Sequence, residues 1–177
     1  MAILTDRNIR KSVIGEVVRL FRTPPGGSGL SAYSVYNESQ LRQVQSNGLT
    51  ITRPAVFVID TYIRPAEPTL PIISVETNRV RRRPFEVGNR KGRLTEVILH
   101  VFGRMRGERD DLGSFLADQW GAGLPIYDYT SGSTLVENAT VSDEIVLEQV
   151  SSRMDTLRQE STLDLWQMVS FDLLTIN

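Results

Sequence analysis

Three groups of residues have types and spacings that suit chemistry. Glu108, Asp110 and Asp111 lie close enough in sequence to hold a metal ion for hydrolysis. They also fall where a helix is expected to begin, and negative charge there complements the helix dipole without any metal. His100 is the only histidine, and it sits in the middle of an apolar run. With no second histidine and no cysteine to join it, it reads as a satisfied core or interface side chain. Gly26-Gly27-Ser28-Gly29 has neither the lysine of a phosphate loop nor the spacing of a nucleophile elbow. No combination of these residues meets the requirements of an active site, so neither catalysis nor a cofactor is expected.

A further group is basic. Asn78 to Arg93 reads NRVRRRPFEVGNRKGR, with six arginines and one lysine against one glutamate, in a chain of formal net charge −1. Arg79, Arg81, Arg82, Arg83, Arg90, Lys91 and Arg93 form the candidate interaction surface, suited to phosphates or to an acidic protein face. The plainer reading is a solvated hairpin whose charge aids solubility. Phe85 is its one aromatic, which argues against a base-stacking platform. Pro84, Gly88 and Gly92 argue against a groove-reading helix.

The bulk composition narrows the field. A chain of 177 residues, 40% hydrophobic and 23% charged, suits one soluble globular domain over 1–177. No apolar run approaches the roughly 18 residues of a membrane span, so no membrane partner is expected. MAILTDRNIRK lacks the apolar segment and cleavage site of a secretory signal. The sequons at Asn37 and Asn138 are therefore read as chance. Residues 1–112 carry 18 Lys/Arg and 11 Asp/Glu (+7), and residues 113–177 carry 2 and 10 (−8). Such a division suits a subunit that presents opposite fields to different neighbours.

The elements that must position these residues follow from periodicity. Thr5 or Asp6 is expected to cap a helix to about Arg22, with Ile9, Val13, Val17 and Leu20 inward, joined by Ile14, Val18 and Phe21. A short strand at Tyr33–Tyr36 and a helical turn at Glu38–Gln45 come next. LTIT (49–52), AVFVID (55–60) and PIISVETN (71–78) read as strands. LTEVILHVF (94–102) reads as an inner strand covered on both sides. A second helix is expected from about Glu108 to Trp120, burying Leu112, Phe115, Leu116 and Trp120. GLPIYDYTSGST (123–134) is turn-rich. DEIVLEQVSSRM and LDLWQMVSFDLLTI, joined by DTLRQEST, read as a long terminal hairpin. Alternating charge should make the strand from Pro71 leave the core near Asn78, with loop excursions near 23–32, 61–71, 84–93 and 121–143. The fold class expected is α+β: a mixed, mostly antiparallel sheet with the N-terminal and second helices packed on one face.

This order of elements resembles the tail terminator proteins of long-tailed bacteriophages. The resemblance rests on the N-terminal amphipathic helix, PIISVET, the arginine-rich excursion, HVFGRMRGERDDLGSFLADQW and the closing LWQMVSFDLLTI. Its most specific piece is the strand-to-helix passage Leu94–Trp120. The chain is long for that family, with extra length near 23–70 and 121–143. The resemblance implies a virion structural protein assembled in the host cytoplasm. It implies a homo-oligomeric ring, usually a hexamer, capping the tail tube and joining it to a connector or neck protein. DNA would pass through the ring without sequence readout, and no catalysis or cofactor is implied. Repetition around an axis would turn the basic stretch into a charged collar facing tube, connector or DNA. The alternatives are another neck or head-completion subunit, a nucleic-acid-binding module using the same arginines, and a metal-dependent hydrolase using Glu108, Asp110 and Asp111.

Overall fold

Thr5 opens the first helix: its Oγ1 accepts a hydrogen bond from the Asn8 N–H at 3.2 Å, and Asp6 adds negative charge to the first turn. This helix, α1 (Asp6–Arg22), turns Ile9, Val13, Val17, Leu20 and Phe21 fully inward, as their spacing requires. Burying five such side chains contributes on the order of 10 kcal/mol before chain entropy is set against it. The computed structural model describes residues 5–23, 33–46, 48–52, 54–60, 71–87, 90–120, 123–130, 132, 134–141, 145–149 and 166–176.

After α1 come β1 (Ser34–Tyr36), α2 (Glu38–Gln45), β2 (Ala55–Ile59), β3 (Ile72–Val87), β4 (Arg90–Phe102), α3 (Arg106–Asp118), β5 (Gly123–Asp128), β6 (Thr134–Val141), β7 (Val146–Gln149) and β8 (Trp166–Ile176). All eight strands join one sheet in the order β1-β2-β3-β4-β8-β6-β5, and β7 shares with β6 the outer edge of β8. β1–β2 and β2–β3 are parallel, and every other pair is antiparallel. The fold is thus α+β with a mixed, mostly antiparallel sheet, as expected.

β4 is the inner strand that its composition announces, paired along its length to β3 and β8. Thr95, Val97, Leu99 and Val101 are fully buried on one face. There they meet Val56 and Val58 of β2, Ile73 and Val75 of β3, and Val169, Phe171 and Leu173 of β8. α1 and α3 cover this side together, and Phe21 meets Phe115 with ring centroids 5.6 Å apart. On the opposite face Ala55, Phe57, Ile59, Ile72 and Phe102 pack with Leu41 of α2.

Several local expectations change. Within the 84–93 excursion, β3 runs on to Val87 and β4 begins at Arg90, so 84–87 and 90–93 are strand rather than loop. Residues 88 and 89 lie outside the described residues. Within 121–143 the turn-rich segment is a hairpin, β5 pairing β6 with an irregularity between Ile126 and Tyr127. Its polar groups are met by α1: the Tyr127 N–H donates to Ser12 Oγ at 2.9 Å, Asn8 Nδ2 donates to Asp128 Oδ1 at 3.1 Å, and the Tyr129 N–H donates to Asn8 Oδ1 at 3.2 Å. LTIT is not a strand, and α3 starts at Arg106 and ends at Asp118, ahead of Trp120. α2 is a true helix closed by a capping box between Asn37 and Gln40, and it occupies the face opposite the other two helices. The terminal pair forms, but β7 has 4 residues against 11 in β8. Residues 24–32 and 61–70 and the linker DTLRQEST lie outside the described residues.

Candidate interaction surface on the arginine-rich hairpin

β3 and β4 form a long antiparallel hairpin whose last rungs pair Glu86 with Lys91 and Val87 with Arg90. β8 supports β4 only as far as Gly92, opposite Ile176, and β2 supports β3 only from Ile72 to Ser74. Beyond Gly92 the hairpin is therefore a two-stranded ribbon among the described residues. With only Arg90 and Lys91 of β4 beyond that rung, it reaches roughly 7 Å past β8 at the usual rise per residue. Two register shifts interrupt β3, one between Asn78 and Val80 and one between Arg82 and Glu86. The second spans Pro84, which has no N–H to give a ladder, and a bulge accommodates it.

The seven predicted residues fall along this hairpin. Arg79 lies in the first shift, Arg81 opposite Leu94, Arg82 opposite Arg93, Arg83 in the second shift, Arg90 opposite Val87 and Lys91 opposite Glu86. The side chains of residues 79–91 lie outside what the structure describes. Arg93 is described, and it is engaged within the chain. Its Nη2 forms an ion pair with Asp6 Oδ1 in the first turn of α1, and its carbonyl accepts from Thr175 Oγ1 at 3.3 Å. Arg93 thus braces the root of the ribbon against the helix layer.

The other candidate groups are held by structural partners. His100 Nε2 lies 2.9 Å from Glu76 Oε2, and the imidazole sits beside the Trp166 ring. Glu108 is buried and takes Arg104 in a fork: Nε lies 3.0 Å from Oε2 and Nη2 lies 2.7 Å from Oε1. The Arg104 N–H also donates to Glu108 Oε2 at 2.9 Å, and the Tyr33 hydroxyl donates to Oε1 at 3.3 Å. Burial pushes the Glu108 carboxyl up, but these hydrogen bonds and the Arg104 charge outweigh it and leave the group below its ordinary value. Tyr33 is raised, first by burial and then by the Glu108 charge. Asp110 instead accepts from Arg109 Nε at 2.8 Å and from Nη2 at 2.6 Å. Glu108 and Asp110 therefore point to separate arginines. Among the described residues no group of three His, Cys, Asp or Glu side chains is placed to hold a metal ion. The Gly26–Gly29 run lies outside the described residues.

One feature was hidden from the sequence. On the face of β4 and β8 that turns away from α1 and α3, Glu96 stands directly opposite Asp172. Like charges so placed destabilise a sheet, and neither group has a hydrogen bond or ion pair among the described residues. Glu76 (opposite Ile98) and Glu148 (opposite Met168) share that face. Alternation within each strand shows which face a carboxylate takes, but only the strand register brings these four together.

The fold and these sites define an α+β protein built on one mixed eight-stranded sheet, with a projecting basic ribbon and an acidic sheet face. Compared with protein-family models and with curated proteins, the chain matches none.

Proposed function

We propose that this protein is a structural joining subunit of a long-tailed phage, of the tail terminator type, which works as a homo-oligomeric ring around a DNA passage. The observation that carries the reading is the ribbon. The two longest strands extend past their sheet neighbours. There they carry most of a segment whose net charge is +6, seven basic residues against one acidic, in a nearly neutral chain. A projecting charged arm suits docking, and repetition around a ring axis strengthens its field. The element order that resembles tail terminators also supports the reading. So does the commitment of Glu108 and Asp110 to neighbouring arginines, which leaves them to hold structure.

In this role the ring, a hexamer by resemblance, caps the tail tube, meets a connector or neck protein on its other side, and contacts passing DNA without reading sequence. Its place is the virion tail or neck, with assembly in the host cytoplasm, and it needs no cofactor. The test is mass in solution together with electron microscopy of the protein alone and mixed with tail tubes. Rings, or rings formed on tube ends, are expected. A chain that stays monomeric in both settings and leaves tube ends uncapped refutes the reading.

The same charge also fits phosphates, which keeps a nucleic-acid-binding module as the second reading. That reading requires the isolated chain to bind duplex DNA with a steep salt dependence that Arg81, Arg82 and Arg83 changed to Ala abolish.

A further inference from the structure

We propose that the arginine ribbon of one copy docks across the acidic face of the β4–β8 pair in the next copy, so that each chain carries both halves of a head-to-tail contact. This rests on the ring reading above and names the partner of the ribbon.

The receiving face is defined by register. Glu96 and Asp172 oppose each other at its centre, Glu76 lies toward β3 and Glu148 toward β7. Ile98, Met168 and Leu174 surround them and are only half-buried. α2 packs on β2 at the other end of the sheet, with Leu41 against Phe57 and Ile59. A face that mixes half-buried apolar surface with four carboxylates, of which only Glu76 is paired among the described side chains (with His100), is suited to a partner whose charge is positive.

Charge identifies that partner. Segment 61–70 carries Arg64 against Glu67, and segment 150–165 carries Arg153 and Arg158 against Asp155, Glu160 and Asp164. Neither brings net positive charge to the face. The outer ribbon does, with Arg83, Arg90 and Lys91 against Glu86. Within one chain, register sets Arg81 opposite Leu94, in the row next to Glu96, which still leaves the four carboxylates in excess. The outer ribbon continues β3 and β4 in line, away from the Glu96 row. The ribbon must therefore come from another copy.

Symmetry follows from the same charges. Ribbon against ribbon sets like charges together, and so does face against face, so a two-fold dimer is disfavoured through either surface. Ribbon on face joins two different surfaces, and under the ring reading above it repeats head to tail instead of closing reciprocally as a pair.

The test uses the full chain and two neutralised variants, Glu96→Gln with Asp172→Asn for the face, and Arg83→Gln with Arg90→Gln for the ribbon. Mass photometry and sedimentation are read across salt concentration. The wild type should form rings that loosen as salt rises. Each variant alone should associate at least tenfold more weakly. An equal mixture should stop at pairs, since only one good ribbon and one good face meet. Because the face variant removes a like-charge pair, its monomer should melt no lower than wild type, which separates lost docking from lost folding. Rings that persist unchanged with a neutralised face overturn this contact and leave the ring reading standing. A two-fold dimer overturns the head-to-tail geometry. A wild type that remains monomeric, even on tail tubes, overturns both.

Discussion

Gly103 lies between β4 and α3, and replacing it with alanine should be among the most damaging single-atom additions in the protein. A Cβ built there would stand 2.7 Å from Arg109 N and 2.9 Å from both Arg109 Cα and Arg109 Cβ. Ordinary van der Waals contact begins near 3.4 Å, so backbone must move by about 0.7 Å. The obstructing atoms belong to helix backbone, and the Arg109 N–H is bonded to the Met105 carbonyl at 3.1 Å. α3 cannot slide freely to make room, because Leu112 and Leu116 are fully buried in the core. Overpacking of this kind costs about 1–3 kcal/mol, and the rigid obstruction places Gly103→Ala near 3. For a chain of this size that lowers the melting temperature by roughly 6–12 °C. Gly107→Ala is the matched control on the same helix, since its Cβ would meet nothing within 4 Å. It should be neutral or stabilise by about 0.5 kcal/mol through lost chain entropy. Thermal melts and urea titrations of the two variants decide the matter. If Gly103→Ala melts with the wild type, or both variants fall equally, the close approach does not hold α3 in place.

Three further outcomes follow from the same contacts. Glu108→Gln should cost about 2–3 kcal/mol in urea unfolding, because it weakens a buried fork to Arg104. The folded-state pKa of Glu108 lies below its ordinary 4.5, so the stabilisation is present above that value and fades as pH falls through the folded one. The gap between wild type and Glu108→Gln should therefore close in acid, and a gap that is flat with pH would contradict the assignment. Asn8→Ala should cost about 1–3 kcal/mol in thermal melts, since it removes the buried amide that joins Asp128 to the Tyr129 N–H. Gly113→Ala would place a Cβ 2.1 Å from Gln167 Oε1, which is the end of a side chain and not backbone. A double-mutant cycle with Gln167→Ala should recover most of its cost, and simple additivity would show that the clash lies elsewhere.

How much the sequence disclosed depended on whether a signal was local. The cap at Thr5 and the stripe Ile9-Val13-Val17-Leu20 were legible because a helix is specified by residues three and four apart. β4 was legible as an inner strand because both of its faces are apolar enough to be covered. The arginine segment was legible as a hairpin between β3 and β4, but 84–93 was read as its loop because Pro84, Gly88 and Gly92 break strands. Its arms are strand because β4 supplies the ladder and two bulges absorb the misfits. The β5–β6 hairpin was missed for a related reason: its turn residues are genuine, and its edge is held by Asn8 and Ser12 of a distant helix. Within the candidate site the arginines were visible from composition, whereas the Arg93–Asp6 brace and the Glu96–Asp172 opposition exist only once register is fixed.

That register also changes what the division of charge along the chain means. Residues 1–112 are basic and 113–177 acidic, which invites a picture of two poles facing two neighbours. Yet β4 comes from the basic half and β8 from the acidic half, and they pair rung by rung from Gly92–Ile176 to Phe102–Trp166. The halves are interleaved at the centre of the sheet, so the separation of charge runs along the strands. The basic end is where the hairpin outruns β8, and the carboxylates sit further back, where Glu96 meets Asp172 and Glu148 meets Met168. In the proposed ring, a dipole along the strands would orient each copy relative to the next. A nearly neutral total is compatible with such a proposed repeating unit, in which each copy would both supply and accept the same charge.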